Sequence, residues 1–292
     1  MERVKARPEP EIIEDVHHPL QPYFLEERLP HIWCSGCGLG TTMSCFAYAL
    51  RELDIGVDDV SIVSGIGCTG RLAGYMRSDS YHTTHGRAIP FASGLRVALS
   101  LVKPGHKVVV FSGDGDLFAI GGNHFIHAAR RNLDINVVCV NNFNYGMTGG
   151  QSGPTTPQGA RGTTAPFGTF ENPFNLPYLA ASCGAPYVAR WTTLHARRLK
   201  DAMVEALSRK GFSFVEVISP CPINYGRRNQ MPTGLEELKY YSENSVIRNF
   251  SDPKDADISV KGEIVVGTFV DEEKPDYFSV YHKFIEQIDG EK

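Results

Sequence analysis

The stretch that most constrains the fold is Lys107-Val-Val-Val-Phe111, an apolar, β-branched run that breaks almost at once into Gly113-Asp-Gly-Asp116. A run with no polar face predicts a strand covered on both sides, as in the middle of a parallel sheet. The glycines after it allow a tight turn whose backbone N–H groups can face an anion. A helix predicted over residues 122–131 follows within a few residues and adds partial positive charge at its N-terminus. A second strand, predicted over 135–140, then ends at Asn141-Asn142. Consecutive crossover strands would bring Asp114 and Asn142 to one edge of the sheet, where their oxygens suit Mg²⁺ held together with a phosphate. Gly-Asp-Gly-Asp alone could be an ordinary turn. The full order of strand, turn, helix, strand, Asn-Asn and glycine-rich Tyr145-Gly-Met-Thr-Gly-Gly150 is far more specific.

The alternation extends along the chain. Apolar residues recur at helical spacing over 41–53, 91–102 and 193–209, and short buried-strand patterns occupy 60–64 and 212–218. Together they predict an α/β fold: a doubly wound, mostly parallel sheet with helices on both faces and ligands at the carboxyl ends of its strands. Residues 143–178, rich in Gly, Thr and Pro, are too long for an ordinary connection and read as a functional loop. The expected organisation is an N-terminal arm (1–30), a site-bearing domain (31–222) and a C-terminal extension (223–292), with an edge strand over 263–270.

Composition narrows the function classes. The formal net charge of −4 with 21% charged residues gives no global basic footprint for nucleic acid. Residues 1–27 lack the apolar core of a secretory signal, and no run approaches the roughly 20 apolar residues of a membrane span. A cytoplasmic chain is expected. There the seven cysteines read as metal ligands or inert buried thiols rather than disulfides. Cys34 and Cys37 can reach one metal centre; Cys68 closes a glycine-rich turn at a strand end, and Cys221 sits between two prolines at another. Four such thiolates suit a structural zinc or an iron–sulfur cluster, and spacing does not choose between them. Cys45, Cys139 and Cys183 lie in apolar surroundings and read as buried structural residues.

From Gly113-Asp-Gly to Asn141-Asn142 the chain resembles the thiamine-diphosphate enzymes. With Trp33-Cys-Ser-Gly-Cys-Gly38, Gly65-Ile-Gly-Cys-Thr-Gly-Arg71, His82-Thr-Thr-His-Gly-Arg87 and Asn141-Asn-Phe-Asn-Tyr-Gly-Met-Thr-Gly-Gly-Gln151 added, the resemblance sharpens. Over residues 20–230 it is to the β subunit of 2-oxoacid:ferredoxin oxidoreductases, closest to the 2-oxoglutarate subtype. The resemblance implies that Asp114, Asn142 and the main-chain carbonyl of Asn144 hold Mg²⁺. It implies that Cys34, Cys37, Cys68 and Cys221 ligate a [4Fe–4S] cluster. Ile66, Gly67 and Thr69 would line the thiamine diphosphate, His85 would lie near its diphosphate, and Gly113, Gly115, Asp116, Gly146, Met147 and Thr148 would contact it.

The activity so implied is oxidative decarboxylation of 2-oxoglutarate with coenzyme A to succinyl-CoA and CO₂, with electrons passed to ferredoxin, and reversible in principle. No carboxylate in this chain reads as the activator of the aminopyrimidine; Glu171 and Glu216 read as loop and sheet-end polar groups. The resemblance places that glutamate on a partner α (or fused α/γ) subunit, in a dimer of αβ heterodimers. Arg71 is a candidate contact for a substrate carboxylate, and equally a surface ion pair or a subunit contact; Arg87 and Arg96 read as structural ion-pair partners. Three alternatives stay open: a pyruvate or broad-specificity enzyme of the same kind, a non-oxidative thiamine-dependent decarboxylase or synthase, and a non-catalytic electron-transfer scaffold.

Overall fold

The structure, a computed structural model, describes residues 18–260 and 262–290. Among them the strands are β1 (Val60–Ser64), β2 (Asp79–His82), β3 (Lys107–Gly113), β4 (Asn136–Asn141), β5 (Asn144–Tyr145), β6 (Gln151–Ser152), β7 (Tyr187–Thr192), β8 (Ser213–Ile218), β9 (Ser245–Ile247) and β10 (Ile264–Asp271). The helices are α1 (Leu39–Glu52), α2 (Ala88–Val102), α3 (Gly122–Arg130), α4 (Leu176–Ser182), α5 (Ala196–Ser208), α6 (Gly234–Asn244) and α7 (Tyr277–Gly290). One sheet runs in the order β2-β1-β3-β4-β8-β7-β10-β9, while β5 and β6 form a separate antiparallel ribbon. Neighbours in the large sheet are parallel except β10 against β7.

The run predicted as a central strand lies in β3, third in the sheet order, with Val108 to Ser112 buried. Successive strand residues feed opposite faces, as the two-residue period of a strand requires. Val109, Phe111, Val138 and Val140 join one core with residues of α1 and α5. Val108, Val110, Val137 and Cys139 join the other with residues of α2, α3 and α4. In the second core Phe125 of α3 is fully buried, with ring centroids 4.6 Å from Phe118, 5.3 Å from Phe212 and 5.2 Å from Phe214. Phe125→Ala should therefore cost about 3–5 kcal/mol through lost burial and a cavity. A urea midpoint within experimental error of wild type would show that α3 does not depend on that cluster.

Several expectations need revision. The strand over 263–270 is β10, and it is not the edge: β9 pairs outside it and β7 inside it. Its first four residues are buried, which an edge position would not require. Helix α2 starts three residues before the expected 91, because Pro90 sits in the first turn, where no intrahelical N–H bond is lost. Strand β7 had no counterpart in the sequence reading; Arg190 interrupts its apolar run. Glu216 is not a sheet-end group. It lies inside β8, in register with Arg190 on β7, and both side chains are buried. Arg190 Nε donates to Glu216 Oε2 at 2.7 Å, so the charge that hid the strand is neutralised across it. Of the expected N-terminal arm, residues 1–17 lie outside the described residues. From Gln21 the chain passes through two short 3₁₀ turns, and Leu25 N–H bonds to the Tyr75 carbonyl.

Candidate functional site

In chain order β2 lies on one side of β1 and β3 on the other, so the winding reverses between β1 and β3. A crevice opens at such a reversal outside the carboxyl ends of the strands. The loops after β1, β3 and β4 converge there on one cavity. After β1 its wall is Ile66, Gly67, Cys68 and Thr69; after β3 it is Gly113, Asp114, Gly115 and Asp116; after β4 it is Asn142, Asn144, Tyr145, Gly146, Met147 and Thr148; His85 closes a side. Every residue expected around the diphosphate and the magnesium is in that wall. Tyr145 is an addition: a Cβ at Gly115 would stand 2.2 Å from its ring, so only glycine lets the turn and the ring approach so closely.

Asp114 is 2% exposed and, among the described residues, has no cation within ion-pair distance. Burial pushes its carboxyl up to about 6, opposed by hydrogen bonds from the Thr155 hydroxyl and the Asn142 backbone N–H. Thr155 Oγ1 stands 2.6 Å from Asp114 Oδ2 and 3.0 Å from Asn141 Oδ1. A buried carboxylate of this kind is costly unless a cation joins it. Asn142 Oδ1 and the Asn144 amide share the same small space, 3.4 Å apart. Oxygens of a carboxylate, an amide and a main-chain carbonyl are the donor types that Mg²⁺ takes, so the residues present fit the ion and the diphosphate that would carry it.

Asp116 does a different job. Its carboxylate accepts from Ile66 N–H at 3.1 Å, Gly86 N–H at 2.8 Å and Ser112 Oγ at 2.8 Å, and pairs with His85 Nδ1. Saturated by protein groups, it fixes the loops after β1 and β2 against the β3 turn. Gly65 is needed beside it, since a Cβ there would stand 2.0 Å from Asp116 Oδ2.

The four expected thiols come from three loops and are all free. Burial pushes Cys37 up to about 12, and the nearby thiols of Cys221, Cys68 and Cys34 push the same way. Burial likewise raises Cys68 to about 11, again with Cys221 and Cys34 adding to it. The loops themselves meet in one region: a Cβ on Gly36, between Cys34 and Cys37, would touch Pro222, next to Cys221, at 3.5 Å, and Trp33, next to Cys34, reaches the Cys68 carbonyl. That region adjoins the cavity: Cys68 is in its wall, and a Cβ on Gly146 would meet Cys221 Sγ at 3.5 Å. Among the described residues no three His, Cys, Asp or Glu side chains gather closely enough to hold a single ion. Cys45 and Cys139 are buried apart from the set, as expected, while Cys183 is half-buried.

Two residues to which the sequence reading gave no role support the thiols. Trp33 Nε1 donates to the Cys68 carbonyl at 2.9 Å. Glu237, 1% exposed, accepts the Cys221 N–H at 3.0 Å; burial pushes its carboxyl up to about 8. Arg71 is not in this cavity. It lines a separate hollow with Arg28, Tyr75, Ser80 and His82; Gly70 in that hollow is next in sequence to Thr69 in the cavity wall. Arg96 pairs with Asp134 at 2.8 Å as expected. Arg87 donates to the Gly86 carbonyl and forms no ion pair among the described residues.

Comparison with known proteins gives the family. The family described as thiamine pyrophosphate enzyme, C-terminal TPP binding domain, matches residues 65–217. A curated relative, the 2-oxoglutarate synthase subunit KorB of Methanocaldococcus jannaschii, is 50% identical over 94% of this chain and all of its own length. The corresponding subunit of Methanothermobacter marburgensis is 45% identical over 94% of each chain. A solved structure, 2-oxoglutarate:ferredoxin oxidoreductase from Magnetococcus marinus with 2-oxoglutarate, coenzyme A and succinyl-CoA bound, matches with TM-score 0.80 at 29% identity, over 94% of this chain and 92% of that one. The chain belongs to the thiamine-diphosphate-binding β subunits of the 2-oxoacid:ferredoxin oxidoreductases, in the group of the 2-oxoglutarate synthase KorB subunits.

Proposed function

We propose that this chain is the cofactor-bearing half of a cytoplasmic 2-oxoglutarate:ferredoxin oxidoreductase, holding thiamine diphosphate, Mg²⁺ and a [4Fe–4S] cluster. The observation that carries the reading is one cavity with Asp114, Asn142 and Asn144 at one side and Cys68 in the same wall. Bound there, thiamine diphosphate would supply the carbanion chemistry that releases CO₂ from a 2-oxo acid, and the cluster would accept electrons.

The chain's own residues provide position and electrostatics. Asp114, Asn142 and the Asn144 carbonyl would fix the cation and with it the diphosphate. Asp116 and His85 hold the loops after β1 and β2, so that Gly67 and Thr69 stay in the cavity wall. Because Cys68 is in the cavity wall, a cluster held by Cys34, Cys37, Cys68 and Cys221 would lie close to the cofactor and could take up its electrons over a short distance. The aminopyrimidine activator would come from an α subunit, with ferredoxin as electron acceptor and coenzyme A as acyl acceptor, in a dimer of αβ heterodimers. Arg71 would meet a substrate carboxylate only where that partner unites the two hollows.

The test is co-expression with the partner subunit and anaerobic purification. Expected are about four irons per chain and a broad absorption at about 400 nm that dithionite bleaches, with succinyl-CoA formed from 2-oxoglutarate only when coenzyme A and a low-potential acceptor are present. Colourless protein with zinc would replace this reading by a non-oxidative decarboxylase. Faster turnover of pyruvate would move the substrate, and full-rate turnover by this chain alone would remove the partner.

A further inference from the structure

We infer that α6 clamps the four-thiol site, and that Glu237 at its start is the positioning residue that sets the Cys221 loop. This rests on the assignment of those thiols as cluster ligands. Three features of the helix N-terminus carry it. Its start is fixed by a reciprocal cap: Glu236 N–H donates to Thr233 Oγ1 at 3.3 Å and Thr233 N–H to Glu236 Oε2 at 2.9 Å.

One residue on, Gly234 lies backbone to backbone against Gly36, between Cys34 and Cys37. A Cβ on Gly234 would stand 2.5 Å from the Gly36 carbonyl oxygen, and one on Gly36 would stand 3.0 Å from Gly234 Cα. The helix thus bears directly on the loop that carries two of the thiols. Glu237 then reaches the loop that carries a third, accepting Cys221 N–H at 3.0 Å through Oε1. The turn after Cys221 folds over the same carboxyl, since a Cβ on Gly226 would come within 3.0 Å of Glu237 Oε2.

That oxygen, Oε2, is buried with no hydrogen-bond partner among the described residues. A carboxyl used only to fill space would be replaced more cheaply by an apolar side chain. Its retained polar contact is with the backbone of a ligand-bearing residue, the place where outer groups orient first ligands. With Trp33 tying the Cys68 carbonyl, each thiol-bearing loop has a named fastener, and α6 supplies two of them.

The experiment reads iron release from the anaerobically reconstituted full chain to a ferrous chelator, with thermal melting alongside. Glu237→Leu removes the acceptor but keeps the volume; it should melt close to wild type and lose iron about 10–100-fold faster. Glu237→Gln keeps a carbonyl acceptor for Cys221 N–H and should restore release to within about threefold of wild type. A wild-type release rate in the leucine chain overturns the clamp, as does a glutamine chain as fast as the leucine one. Should the leucine chain not fold, Gly234→Ala decides on the same readout: faster release supports the clamp and an unchanged rate overturns it. A wild-type chain that takes up no iron overturns the cluster assignment itself, and with it the clamp.

Discussion

Asp114→Ala should bind thiamine diphosphate with Mg²⁺ at least about a hundredfold more weakly than wild type, while melting at or above the wild-type temperature. Both halves follow from the same burial. The carboxylate is 2% exposed, without a cationic partner among the described residues, and burial raises its carboxyl to about 6. In the folded chain without cofactor it is a destabilising group, retained where a divalent cation can compensate it. Its removal leaves the Thr155 hydroxyl free to donate to Asn141 Oδ1, 3.0 Å away, so that hydroxyl keeps a partner. Calorimetric titration of the αβ complex with thiamine diphosphate and Mg²⁺, beside a melting curve, checks both halves. Wild-type affinity in the variant would remove Asp114 from the cation's ligands and leave the proposed cavity without its anchor.

Arg190→Met should lower stability by about 3–5 kcal/mol, because it strands Glu216 as an uncompensated charge in the sheet interior. Arg190 is 1% and Glu216 0% exposed, and the guanidinium also donates to the Ala256 carbonyl at 2.5 Å. Beyond the pair runs a chain of polar contacts toward the site. Glu216 Oε1 accepts from Asn141 Nδ2 at 2.8 Å, and Asn141 Oδ1 faces Thr155, which donates to Asp114. The stability loss should therefore be joined by weaker cofactor binding, since Asn141 and Thr155 lose their fixed partners. Replacing both charges, Arg190→Met with Glu216→Leu, should recover most of the stability but not the binding. Urea unfolding of the three chains measures the first, and cofactor titration the second. A single variant within about 1 kcal/mol of wild type would show that water or a neighbour already neutralises Glu216.

Sequence pattern located most of the residues that line the cavity because its elements are local. Strand-then-glycine at 107–116 and strand-then-Asn-Asn at 136–142 each combine a periodic apolar run with its own turn chemistry, and parallel neighbours align their ends. Cys34 and Cys37 were legible from short spacing. Other features carried no local signal. Strand β7 was hidden by a charge whose partner lies 26 residues away on β8, and β10 appeared to be an edge because β9 is only three residues long. Arg71 follows the Cys68 turn closely in sequence, yet the 3₁₀ turn Thr69–Tyr75 carries it round into the separate hollow.

By itself, the order of residues determined a wound α/β sheet and which strand-end loops, after β1, β3 and β4, line one cavity. Those are properties of periodicity and turn geometry, which act over a few residues. Tertiary structure alone decided what holds these parts in place: Thr155 and Asn141 beneath Asp114, Asp116 as a fastener of loops rather than a free acid, Arg190 against Glu216, and α6 against two of the thiol loops. These depend on groups far apart in the chain meeting in a medium where an unpaired polar atom is costly, and no local pattern reports which distant partner satisfies it.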